Sequence, residues 1–83
     1  MPTLRDLRER ALLSSGELAK LCAVTKSAVS LWESGEHRPS AEHRRRLVTI
    51  FQCSADELLA AIRETRAQYE RKKRGADNER PAA

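Results

Sequence analysis

Apolar positions recur at helical spacing along most of the chain, and polar breaks divide them into five groups. Leu4, Leu7 and Ala11 fall at i, i+3 and i+7. Leu18 and Cys22, with Leu21 beside them, form a second group, and Val29 and Trp32 a third. Leu47, Ile50 and Phe51 make the fourth, and Leu58, Leu59 and Ile62 the fifth. The breaks carry helix-start chemistry. Ser14-Ser15-Gly16-Glu17 and Ser54-Ala55-Asp56-Glu57 match the S/T-x-x-E capping box, in which a hydroxyl and a carboxylate satisfy orphan amide donors. Thr3-Leu4-Arg5-Asp6 is the same box with Asp, Thr25 and Ser40 suit further N-caps, and Pro39 marks a break. The spacing predicts helices near 4–11, 15–22, 26–33, 41–51 and 55–73. Leu13, Val24 and Cys53 lie in connectors, placed to plug gaps between helices, and Trp32 falls at i+3 from Val29, as a core residue does.

The expected fold class is therefore all-α. Three glycines and three prolines in 83 residues argue against a turn-dense β domain. The length holds one domain, and an aromatic content of 4% leaves Leu, Ala, Val and Ile to build its core. A core that small gains from dimerisation.

Only Ala23-Val24-Thr25 separates the second and third helices, the turn length of a helix-turn-helix unit. Ala19 permits a close crossing, Val24 seals the turn and Val29 anchors the third helix. Amphipathic helices meet at such turns without binding DNA, so spacing alone leaves both a DNA reader and a plain packing unit open.

Charge adds a lean towards an acidic partner. Sixteen Lys and Arg face 12 Asp and Glu, for a net charge of +4, which suits nucleic acid or an anionic membrane. The longest apolar run, Leu58 to Ile62, is far short of a span, and 62–74 offers only Ile62, Ala67 and Tyr69 as anchors, so no membrane partner is expected. Met1 to Asp6 has no apolar signal region. Cys22 and Cys53 stand alone, and with His37 and His43 they lack the close cysteine pair of a zinc finger. Both cysteines read as small buried hydrophobes in a reducing cytoplasm, with no metal and no cofactor. Nucleophile motifs, phosphate loops and paired acids are missing, so the chain reads as no enzyme.

The stretch Leu13-Ser14-Ser15-Gly16-Glu17-Leu18-Ala19, then Thr25 through Gly35, then Glu36-His37-Arg38-Pro39-Ser40 and Cys53 through Leu59 resembles the Cro/CI-type (xenobiotic-response-element) helix-turn-helix family. The match runs from about Leu4 to Leu59 and keeps order and spacing. The resemblance implies a five-helix, lambda-repressor-like DNA-binding domain whose third helix lies in the major groove. It also implies an ion pair between Arg8 and Glu33 that fixes the third helix's angle. Lys26, Ser27 and Ser30 then meet base edges, where Lys donates to guanine and Ser suits either base pair. Leu31 either touches a thymine methyl or does nothing. Ser15, Thr25, Arg38 and the amides near Ser40 hold phosphates.

Three departures from the family pattern stand out. Ser15-Gly16 replaces Gln-Glu and removes a long phosphate-reaching side chain. Ala23 and Gln52 stand where the family prefers Gly, so positive φ there costs about 1 kcal/mol each. Arg44 replaces an apolar residue, so either the fourth helix is rotated or Arg44 faces a partner.

These observations divide the chain into a helix-turn-helix domain at 1–62, a basic extension of the last helix at 63–75 and a disordered tail at 76–83. Leu58, Ile62, Thr65 and Tyr69 continue a heptad-like stripe past the core. That stripe suits a homodimer seam, while the extension otherwise serves as a soluble helix end or as a phosphate contact through Arg71 to Arg74. Residues 63–74 hold six basic and two acidic side chains, so the extension is the most basic stretch of the chain. The expected function is sequence-specific transcriptional regulation, as a repressor, by a homodimer on an inverted repeat of double-stranded DNA. The expected setting is a bacterial or phage-type cytoplasm, associated with the nucleoid. The alternative is a protein-interaction module of the same fold, antitoxin-like or a partner of another DNA-bound regulator, using the C-terminal helix.

Overall fold

Five helices form in the order α1 (Leu4–Arg10), α2 (Ser15–Cys22), α3 (Lys26–Ser34), α4 (Ala41–Phe51) and α5 (Ala55–Glu79). The computed structural model describes residues 1–79, and their side chains through Gly75. No strand occurs among the described residues. The architecture is all-α and lambda-repressor-like.

Local chemistry explains the starts. Thr3 and Ser14 each accept from the amide three residues on, at 3.2 and 3.1 Å, while Asp6 and Glu17 reach back to the cap amides at 2.9 and 3.0 Å. Both boxes are complete. At α5, Ser54 Oγ accepts from Glu57 N at 3.0 Å, but the Glu57 carboxylate takes the Ser54 hydroxyl at 3.3 Å instead of the backbone amide. Thr25 and Ser40 cap α3 and α4 through the amides of Ala28 and His43.

Three helices end alike, each on a non-glycine residue in the left-handed region. Leu12, Ala23 and Gln52 have φ of 60°, 56° and 51°. At each, the residue's own N–H and the next one return to carbonyls of the last turn, the paired bonds of a Schellman motif. For α2 these are Ala23 N to Lys20 O at 3.2 Å and Val24 N to Ala19 O at 3.0 Å. The strain expected at Ala23 and Gln52 is present, and Leu12 adds a third site that its residue type did not signal.

The core joins all five helices. Leu4, Leu7, Leu18, Ala19, Cys22, Val29, Trp32, Leu47, Phe51, Leu58, Ala61 and Ile62 are buried together, with Leu13, Val24 and Cys53 packed against them from the connectors. α5 runs across α1, α3 and α4.

That path corrects the expected dimer seam. Leu58, Ile62 and Thr65 are 1%, 6% and 3% exposed, spent inside the bundle. Thr65 Oγ1 accepts from Leu4 N at 3.0 Å and donates to Ala61 O at 2.8 Å, which closes the first turn of α1 against α5. Tyr69, half-buried, packs beside Gly35. A second copy cannot reach the first three residues of this stripe without opening the core. The tail also differs from expectation, because α5 continues through Glu79. Adding residues to an existing helix avoids the nucleation cost, so a single Gly75 does not stop it. Residues 80–83, the rest of the expected disordered tail, lie outside the described residues.

Candidate nucleic-acid interface

α2 and α3 meet across the turn Ala23–Thr25, and α3 presents two unlike faces. Val29 is fully buried and Trp32 is 7% exposed, so that face is the anchor. Lys26, Ser27, Ser30 and Ser34 lie on the opposite side, all exposed. At 3.6 residues per turn, Lys26, Ser27 and Ser30 form one contiguous polar patch over the first half of the helix. Leu31 borders that patch and is half-buried, so part of its side chain is turned towards the bundle.

Three attachments to other elements fix the angle of α3. Arg8 grips Glu33 at the distal end through Nε to Oε2 at 2.7 Å and Nη2 to Oε1 at 3.1 Å. Its remaining nitrogen, Nη1, donates to Leu13 O at 2.8 Å, so the guanidinium spans three segments. The Glu33 carboxylate raises the Arg8 pKa above its ordinary value, chiefly through these hydrogen bonds, so the guanidinium stays charged. Beyond it, Gly35 closes α3 at φ 91°, and its carbonyl accepts from Arg66 Nη1 at 3.0 Å. The Trp32 ring lies 5.2 Å from that of His43, tilted by 46°, and joins α3 to α4. The first turn of α3 is closed locally, where Thr25 Oγ1 accepts from Ala28 N at 3.1 Å.

The residues expected at phosphates border the same patch in sequence. Ser15 opens α2, Thr25 caps α3, Arg38 is exposed in the loop after α3, and Ser40 caps α4. Ser40 Oγ is 2.9 Å from His43 Nδ1 as well as serving the α4 amide, so its hydroxyl is already engaged. Arg44 neither rotates α4 outward nor stands free. It is half-buried and its Nη1 donates to Pro39 O at 2.8 Å, bracing the loop that carries Arg38.

Two supporting residues escaped the sequence reading. Arg46 Nη1 donates to Cys22 O at 3.2 Å and ties α4 to the end of α2. Arg66 reaches Gly35 from 31 positions away. Both act across the fold on backbone carbonyls, for which no local motif exists. Burial pushes the thiols of Cys22 and Cys53 above their ordinary range, which keeps both protonated and unreactive at neutral pH.

Residues 3–62 match a family model described as a helix-turn-helix domain. The chain is also 35% identical over 57 residues to the HTH-type transcriptional activator BcrR of Enterococcus faecalis. That alignment covers 69% of this chain and 28% of the relative, so the chain spans under a third of that protein. A comparison with solved structures gave no match. The paired helices, the short turn, the polar face of α3 and a model match over residues 3–62 agree, and the chain belongs to the helix-turn-helix domain family.

Proposed function

We propose that the domain binds duplex DNA sequence-specifically and regulates transcription by laying α3 in the major groove. The observation that carries this reading is the exposed patch of Lys26, Ser27 and Ser30 on a helix whose opposite face is buried at Val29 and Trp32 and whose distal end is tied to α1 by Arg8. Rigid presentation matters because base edges are read by short-range hydrogen bonds that tolerate little displacement. Lys26 and the two serines take the bases, with Leu31 at the patch border for a thymine methyl. Ser15, Thr25, Arg38 and the amides of the first turn of α4, which Ser40 caps, take phosphates and set the register.

Two copies on an inverted repeat place their recognition helices about 34 Å apart, one turn of the duplex. The second copy meets outer faces of the bundle, since the Leu58–Thr65 stripe is consumed within one protomer. Repression requires only occupancy of promoter DNA and is the mode we propose for this domain. The activator name of the E. faecalis relative belongs to a protein of which 28% is matched.

The test is a pair of substitutions measured on several duplexes. Lys26→Ala costs roughly 1–3 kcal/mol on the preferred site and relaxes preference at one position per half-site. Arg38→Ala weakens all sequences alike and lowers the salt dependence by about one unit of slope. Parent-like binding by both variants contradicts the docking.

A further inference from the structure

The basic end of α5 lies against the end of the recognition helix. Gly35 makes this approach possible, because a Cβ there would stand 2.7 Å from Tyr69 Cβ and 2.8 Å from Thr65 O. Tyr69 therefore marks the line along which α5 faces α3. At 3.6 residues per turn, Lys72 and Lys73 sit about one turn further on and straddle that line, while Arg71 points to the opposite side. The two lysines share a surface concavity with Glu33, Ser34, Thr65, Gln68 and Tyr69. The face that is apolar at Leu58 and Ile62 thus turns cationic where it passes the core, beside α3.

Ion pairing separates these lysines from Arg66 and Arg71, which pair with Glu70 at 3.1 Å and Glu64 at 3.3 Å. Arg74 is likewise exposed and in no salt bridge among the described residues, but it lies about 140° round the helix from Tyr69, away from α3. Lys72 and Lys73 are exposed and take part in no salt bridge among the described residues. The acid nearest them in the concavity, Glu33, has both oxygens held by Arg8. Two ammonium groups with no acidic partner among the described residues then lie beside the distal end of a helix presented to DNA.

We propose that Lys72 and Lys73 form a second DNA contact, gripping the phosphate backbone that borders the major groove at the distal end of α3. This deepens the DNA-binding reading above and rests on it. The contact is electrostatic and sequence-independent, so it extends the footprint without adding to base preference.

The test is binding of the full chain to a selected site and to a random-sequence duplex, across about 50–200 mM salt. Lys72→Gln with Lys73→Gln is expected to weaken both duplexes by roughly tenfold to hundredfold and to lower the salt slope by about 1.8, the value for two phosphates. Lys72→Arg with Lys73→Arg is expected to retain parent binding. Arg71→Gln, an equal change of charge per residue on the far face, is expected to move the slope by less than half as much as Lys72→Gln alone. A parent-like slope in the double Gln variant overturns the contact while leaving the helix-turn-helix reading intact. An equal effect of Arg71→Gln also overturns it, because the effect is then net charge and not placement. Failure of the parent chain to bind either duplex overturns both readings together.

Discussion

Arg8 and Glu33, 25 positions apart, meet in a two-bonded ion pair at 2.7 and 3.1 Å with side chains 11% and 15% exposed. Removing one partner leaves the other charge largely desolvated. Glu33→Ala is expected to destabilise the domain by about 3 kcal/mol in urea unfolding. Replacing both with Met, which keeps volume, is expected to recover most of that loss while DNA affinity stays low. Recovery of affinity along with stability contradicts an orienting role for the pair.

Gly35 and Gly16 make a contrast within one experiment. Alanine at Gly35 meets Tyr69 and Thr65 at under 3 Å and must hold φ 91°. Overpacking and left-handed strain together cost about 3 kcal/mol there. Alanine at Gly16, which has nothing within 4 Å and lies in α2, is expected to stabilise by about 0.5 kcal/mol. Thermal unfolding of the two variants checks both signs.

Leu12 holds φ 60° while 90% exposed, so it bears strain with almost no packing in return. Leu12→Gly is expected to raise stability by about 1 kcal/mol, after allowing for the extra freedom of glycine in the unfolded chain. A lower melting temperature in this variant means that the leucine makes a contact outweighing the strain.

Acid should loosen the starts of α1 and α2 before the core. Asp6 lies below its ordinary 3.8 and Glu17 below its ordinary 4.5, first because each accepts a cap backbone N–H, from Thr3 and Ser14. A depressed carboxylate pKa adds stability that is present above the ordinary value and is lost as pH falls through the folded value. Stability is therefore expected to fall below about pH 4.5, and less steeply in Asp6→Asn with Glu17→Gln. Unfolding curves with an identical acid limb in the variant contradict this assignment.

The caps were legible because they are local. A hydroxyl and a carboxylate three residues apart announce a helix start wherever they fall, and Ser14 with Glu17 does so here. The strain at Ala23 and Gln52 was legible through the family pattern, whereas Leu12 carries no turn signal of its own. The stripe from Leu58 to Thr65 misled for a physical reason. A helix face that packs on its own bundle and one that packs on a second copy show the same spacing. What decides between them is the approach of Leu4 to Thr65 across 61 positions and of Gly35 to Tyr69, neither of which is written in local sequence. The faces of α3 followed from Val29 and Trp32, and the braces from Arg44, Arg46 and Arg66 did not.

Selection of binding sites from a random duplex library with the purified chain tests the central claim most directly. The account predicts an enriched motif of two inverted half-sites about 10 base pairs apart, centre to centre, weakened at one position per half-site by Lys26→Ala. Recovery of no enriched motif, or of sequences that the Lys26→Ala protein selects equally well, contradicts sequence-specific reading by α3.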